Sequence, residues 1–164
     1  MAAPFERAFV ALGSNLGDSP SIVQSALEGL AGIPGTQLIA QSSLHRTAPV
    51  GGPPDQSDYL NAVVELATTL APHELLQHLQ TIESRHGRDR TREQRWGPRR
   101  LDLDLLMVGQ RVVDSPELEL PHPRMEDRTF VLAPLAELCP DYLLPKCKQS
   151  VRDRCTALRA EVGA

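Results

Sequence analysis

Between Ala8 and Val108 the chain twice runs from a short apolar stretch through an amphipathic helical pattern into another extended stretch, and this alternation leaves few architectures open. The first unit begins with "AFVALGS" (Ala8 to Ser14), a buried strand ending at Gly13. In "DSPSIVQSALEGLAGI", Asp18 or Ser19 serves as N-cap and Pro20 opens a helix whose stripe is Ile22, Ala26, Leu27 and Leu30, ending near Gly32 to Gly35. "TQLIAQSSLHRT" reads as the second strand and "YLNAVVELAT" as the third. "APHELLQHLQTIESRHG" then places Pro72 at a helix start, Leu75, Leu76, Leu79 and Ile82 on one face, and Gly87 as the stop. A fourth strand, "LDLDLLMV", precedes a turn at Gly109-Gln110 and a short return strand, "RVVD". This order is a split β-α-β arrangement: an α+β, ferredoxin-like sandwich with an antiparallel sheet and helices packed on one face. Beyond it, a C-terminal helical extension is expected, with helices near 127–138 and 149–160, all within a single domain spanning residues 1–164.

The fourth strand poses a chemical question. Asp102 and Asp104 interrupt an otherwise apolar run, and residues two apart on a strand point to the same face. Two neighbouring carboxylates raise each other's pKa unless positive charge lies beside them, so the pair calls for arginine partners or divalent cations. Both are plausible from charge placement. The net charge is −4, which gives no general attraction to nucleic acid, yet seven of the fifteen arginines (Arg85, Arg88, Arg90, Arg92, Arg95, Arg99, Arg100) crowd the segment leading into the aspartates. Guanidinium forks suit phosphate oxygens, and magnesium takes few carboxylates plus waters and substrate phosphates. Trp96, the only tryptophan, lies inside this segment, and "LPHPRMEDRTF" adds His122, Arg124 and Arg128 in a non-helical stretch.

Other signals are weaker. Residues 48–58 hold two glycines and three prolines and form a long loop of the kind that carries function. "GSNLG" (Gly13 to Gly17) lacks the three-glycine dinucleotide fingerprint and reads equally well as a turn, and no Walker A lysine exists. His45, His73, His78 and His86 have no metal-ligand spacing, His73 and His78 being expected on the exposed side of the second helix. Cys139, Cys147 and Cys155 read as reduced thiols, and without a signal-peptide h-region or a long apolar run a soluble, cytoplasmic protein is expected.

From "ALGSNLGD" through "RTAPVGGPPDQSDYLNAVVEL", "RWGPRRLDLDLLMVG" and "LPHPRMEDRTFVLAPLAEL", the sequence resembles the 6-hydroxymethyl-7,8-dihydropterin pyrophosphokinases of folate biosynthesis. The resemblance implies transfer of the ATP diphosphate to the pterin hydroxymethyl group with release of AMP. It assigns Asp102 and Asp104 to two magnesium ions. Arg88, Arg90, Arg99, His122 and Arg128 match nucleotide or phosphate contacts, Arg88 and Arg99 also matching catalytic positions. Gln80 and Glu83 match the nucleotide side of the second helix, and Trp96 a mobile loop touching both substrates. Thr47, Ala48, Val50, Tyr59, Asn61 and Phe130 match the pterin pocket, where aromatic faces suit a flat bicyclic ring and Asn61 can read its amide edge. Two positions depart from the family pattern: Pro123 follows His122 where some members carry tyrosine, and His45 stands where an aromatic is frequent. The expected partners are ATP and the pterin, with no nucleic acid, no membrane and a monomeric state.

Two rival readings use the same features. An RNA-binding module of this fold would need sheet aromatics, but only six aromatic residues exist and the RNP signature is missing. A two-metal nuclease could employ the aspartate pair, and oligonucleotide cleavage without ATP would reveal it.

Overall fold

The structure, a computed structural model, describes residues 4–15, 17–48, 54–87 and 101–163, with side chains through residue 161. Its strands are β1 (Glu6–Ser14), β2 (Thr36–Gln41), β3 (His45–Thr47), β4 (Tyr59–Thr68), β5 (Asp102–Val108), β6 (Val113–Asp114) and β7 (Glu119–Leu120). The helices are α1 (Ser19–Ala31), α2 (Pro72–Arg85), α3 (Thr129–Leu138) and α4 (Val151–Gly163), with a 3-10 turn at Met125–Asp127. The main sheet has the order β2-β4-β1-β5, with β3 also on β4, and every pairing is antiparallel.

Alternation along the central strands separates two cores. Ala8, Val10 and Leu12 of β1, Val64 and Leu66 of β4, and Leu103 and Leu105 of β5 pack with Val23, Leu27 and Leu30 of α1 and Leu75, Leu79 and Ile82 of α2. Phe9 and Val63, pointing the other way, join Leu106 and Met107 in a second core with Val131, Leu132 and Leu135 of α3 and Val151, Cys155 and Leu158 of α4. The first two helices therefore cover one face, as the split β-α-β order predicts, and the C-terminal extension covers much of the other. That face is apolar only where the extension reaches it.

Local chemistry sets most boundaries. Asp18 caps α1 by accepting the Ser21 N–H, and Pro20 and Pro72 lie in the first helical turns of α1 and α2. Gly87, just past α2, has φ of 84°, a left-handed conformation that glycine adopts without steric cost. Four features differ from the sequence expectation. The single strand expected over 36–47 divides in two at Ser42, whose N–H donates to the Val63 carbonyl at 2.9 Å while its Oγ accepts the Val63 N–H at 2.9 Å. One hydroxyl thus replaces a ladder partner and lets the chain step from β2 to β3. Downstream, the expected return strand does not pair with β5: Arg111 is drawn to Glu6 at 2.6 Å, and β6 pairs instead with β7 through the Ser115–Leu118 turn. The expected 127–138 helix begins two residues later, after the 3-10 turn, and the last helix begins at Val151. All three cysteines are free thiols, as expected, and no helix among the described residues is long and apolar enough to cross a membrane.

Candidate active site

The sheet register assembles the site on the face that the C-terminal helices leave partly open. Asn61 of β4 pairs with Gly13 of β1, and Gly13 pairs with Asp102 of β5. One step along, Val63, Ala11 and Asp104 form the next row. Side chains of directly paired residues share a face, so Asn61 and both aspartates point together, with about 10 Å between the outer backbones of the Asn61–Gly13–Asp102 row. Opposite them, the start of α3 and the 3-10 turn contribute Asp127, Arg128, Thr129, Phe130 and Val131. Between these walls lies a cavity of about 460 Å³, also lined by Leu12, Thr47, Ala48, Tyr59 and Arg124.

Its floor is made by omission. Gly13 is extended, and a Cβ placed there would come 3.2 Å from Asn61 Oδ1 and 3.6 Å from Tyr59 Cδ1. A side chain at this position would press on the group that faces the cavity. Asn61 is itself buried, at 7% exposure, and its Nδ2 donates to Thr47 Oγ1, so β3 holds the amide in one orientation. A buried amide with a fixed donor and acceptor can read the edge of a heterocycle. The β3 strand is in turn tied to the far end of α3, where Glu137 accepts from Ser43 N and Oγ and also pairs with His45 Nε2. The Ser43 N–H, above all, holds the Glu137 carboxyl below its usual pKa, with His45 adding to the effect. His45 thus forms a polar clamp between β3 and α3.

At the other end, Asp102 and Asp104 are half-buried on the outermost strand, whose outer edge is occupied by side chains and loop. The Leu103 N–H donates to Glu83 Oε2 at 2.9 Å, and the Leu106 carbonyl accepts the His122 N–H at 2.8 Å. Burial, reinforced by the Arg128 cation, pushes the His122 imidazole down to about 4; Asp102 opposes the shift and Arg124 adds to it. His122 is therefore neutral at physiological pH, and its Nδ1 accepts the Arg124 N–H at 3.2 Å. The Arg128 guanidinium lies 5.5 Å from the centre of the Phe130 ring, joining a cation to an aromatic wall of the cavity. No group of three or more His, Cys, Asp or Glu side chains suited to a metal ion occurs among the described residues. Two carboxylates without a third ligand are a poor zinc or calcium cage, but they suit magnesium, which completes its octahedron with water and phosphate oxygens.

Of the residues expected at the site, Thr47, Ala48, Tyr59, Asn61, Asp102, Asp104, Arg128 and Phe130 line this one cavity. His122 stands beside it, within electrostatic reach of Asp102 and Arg128. Gln80 is exposed on α2 and Glu83 is buried against β5; neither lines the cavity. Val50, Arg88, Arg90, Arg92, Arg95, Trp96, Arg99 and Arg100 lie outside the described residues. Sequence reasoning passed over Ala11, Gly13, Asp127 and Thr129 as site residues. Only the register of β1 reveals the first two, while Asp127 and Thr129 flank Arg128 in a segment already singled out.

The family model described as 7,8-dihydro-6-hydroxymethylpterin-pyrophosphokinase matches residues 9–140. The chain is 48% identical over 140 residues to the 2-amino-4-hydroxy-6-hydroxymethyldihydropteridine pyrophosphokinase of Pseudomonas aeruginosa, covering 85% of each protein. To the enzyme of that name from Bacillus subtilis it is 46% identical over 132 residues, covering 80% of this chain and 77% of the relative. Among solved structures, the wild-type HPPK-DHPS of Plasmodium falciparum superposes with a TM-score of 0.74 at 14% identity, over 96% of this chain and 45% of that longer one. The chain thus spans less than half of that structure, and the likeness concerns the fold. With its matched segment running from β1 through the whole cavity wall to the end of α3, the chain belongs to the 7,8-dihydro-6-hydroxymethylpterin-pyrophosphokinase family.

Proposed function

We propose that this chain transfers the diphosphate of ATP to the hydroxymethyl group of 6-hydroxymethyl-7,8-dihydropterin, releasing AMP, as a pyrophosphokinase of folate biosynthesis. The observation that carries the reading is the single cavity that holds a fixed buried amide at one end and a carboxylate pair at the other, with one sheet row joining them. Family membership gives this arrangement its substrates.

In this reading the pterin ring lies over Gly13 and Ala11, between Tyr59 and Phe130, and Asn61 reads its edge while Thr47 fixes the Asn61 rotamer. The ring's hydroxymethyl group then points toward the β5 end. Asp102 and Asp104 hold two magnesium ions, which when bound offset charge on the ATP phosphates and on the oxygens at the reacting phosphorus. Arg128 and His122 contact phosphate. Arg88, Arg90 and Arg99 supply further positive charge, and Arg88 and Arg99 share the catalytic role with the aspartates. Gln80 and Trp96 belong to the nucleotide side, with Glu83 buried behind β5 on that side, and Ala48, Val50 and Trp96 to the pterin side. The protein acts as a cytoplasmic monomer. Positioning and electrostatics supply the rate of an in-line displacement at the β-phosphorus.

Incubation with ATP, magnesium and the dihydropterin should yield AMP and pterin diphosphate in equal amounts, with AMP formation dependent on the pterin. Equimolar ADP would show transfer of the terminal phosphoryl group alone and would refute the proposal.

A further inference from the structure

Glu83 is the one carboxylate of the described residues that the fold buries almost completely, at 2% exposure. It projects from the last turn of α2, and its Oε2 accepts the Leu103 N–H at 2.9 Å. Leu103 is the residue between Asp102 and Asp104. Among the described residues β5 is the outermost strand of the sheet, bonded to β1 on one side and to no described strand on the other. Amides on such an open edge have no ladder partner and must find another acceptor or face water.

We infer that Glu83 is a positioning residue for the carboxylate pair, its carboxylate accepting a β5 amide as a neighbouring strand's carbonyl would. The peptide that carries the Leu103 N–H joins Asp102 to Leu103, and Asp104 follows directly. Rotation of that peptide would tilt the Cα–Cβ directions of both aspartates. An acceptor oxygen held at hydrogen-bond distance opposes the rotation. The same outer edge is held a second time where Leu106 accepts the His122 N–H, so one donor and one acceptor of β5 are fixed on either side of Asp104. Glu83 itself approaches from the face opposite the cavity: its helix packs with Leu103 and Leu105, whereas the aspartates alternate to the cavity side. The inference rests on the reading that Asp102 and Asp104 bind magnesium.

Two variants separate reach from charge. Glu83→Gln keeps an acceptor oxygen at the same distance, and Glu83→Asp keeps the charge but withdraws it by one methylene. Exchange of the Leu103 amide is followed by NMR in the metal-free protein, and the magnesium concentration giving half-maximal turnover is measured with ATP and the dihydropterin. Glu83→Asp should exchange Leu103 about tenfold faster and need several-fold more magnesium, whereas Glu83→Gln stays within about threefold of the parent in both. Unchanged Leu103 exchange in Glu83→Asp overturns the inference, as does a Glu83→Gln variant impaired as much as or more than Glu83→Asp. Asp102→Asn and Asp104→Asn serve as controls on the metal reading. If they leave the magnesium requirement unmoved, that reading fails, while Leu103 exchange still reports whether Glu83 holds the strand.

Discussion

Gly13→Ala tests the cavity floor in stability and in binding at once. The backbone at Gly13 is a regular β1 residue paired on both sides, so alanine adopts it without conformational strain. Replacing an extended glycine with alanine narrows the unfolded ensemble and stabilises by about 0.4–1 kcal/mol when the site accommodates the methyl. Here the new Cβ would stand 3.2 Å from Asn61 Oδ1, so the amide must retreat by a few tenths of an ångström. Asn61 cannot retreat freely, because its Nδ2 is held by Thr47 and its side chain is buried. Moving one fixed hydrogen-bonding group out of register costs about 1–3 kcal/mol, roughly 5- to 150-fold in affinity. The methyl also occupies the floor on which a flat ring would rest. Denaturant unfolding and steady-state kinetics with each substrate varied are the assays. Because the same clash strains the unliganded fold, Gly13→Ala should gain none of that stabilisation and lose up to about 1 kcal/mol, with the pterin KM raised at least about fivefold and the ATP KM changed far less. A variant with parental pterin KM would refute the reasoning, since it would show that the cavity floor is not where the ring binds.

Asp102→Asn and Asp104→Asn should each lower turnover at saturating magnesium by at least about a hundredfold, while metal-free unfolding shifts by less than about 1 kcal/mol; equal losses of both would mark the pair as structural. His122 should make the metal-free protein acid-sensitive. Its folded pKa lies below the unfolded value of 6.5, so its contribution is complete above pH 6.5 and is lost as pH falls from there through about 4. Allowing for its partial exposure, the loss at pH 5 should be about 1–2 kcal/mol, and His122→Asn should flatten the stability profile between pH 7 and 5 by that amount. Arg154 of α4 donates to the Glu126 carbonyl at 2.9 Å and lies 3.6 Å from Asp127, tying the C-terminal helix to the turn before Arg128. Arg154→Met should destabilise by about 1–2 kcal/mol and lower kcat/KM by several-fold; a stability loss with unaltered kcat/KM would show that the helix is not coupled to the cavity.

The sequence made the strand–helix order legible because each element carried its own local signal: prolines at two helix starts, Gly87 after α2, and the apolar stripes of α1 and α2. The shared face of Asp102 and Asp104 followed from alternation alone. Features that depend on partners distant in sequence were not legible. A hydroxyl at Ser42 breaks a strand only because Val63 stands opposite it, and Arg111 turns away from β5 because Glu6 lies 105 residues earlier. The pairing of β6 with β7 and the placement of α3 and α4 on the second face belong to the same class. In the site, Asn61 and Tyr59 are ordinary strand residues until β3 and α3 close around them. Gly13 and Ala11 contribute by lacking bulk, and a small residue carries no sequence mark of the space it leaves.

The row running from Asn61 through Gly13 to Asp102 makes the sheet a ruler. The gap between the amide end and the cation end is two strand spacings, about 10 Å, set by backbone hydrogen bonding and unaffected by rotamer choice. Loops around the cavity can lengthen, shorten or close without altering it. In the proposed reaction this fixes how far the reacting phosphorus stands from the seat of the ring, and a pterin with a longer arm would place its oxygen beyond that phosphorus even if the ring bound equally well. Selectivity for arm length would then survive substitutions on the cavity walls and fail only with a register shift of β1, which would move every core residue of that strand to the wrong face.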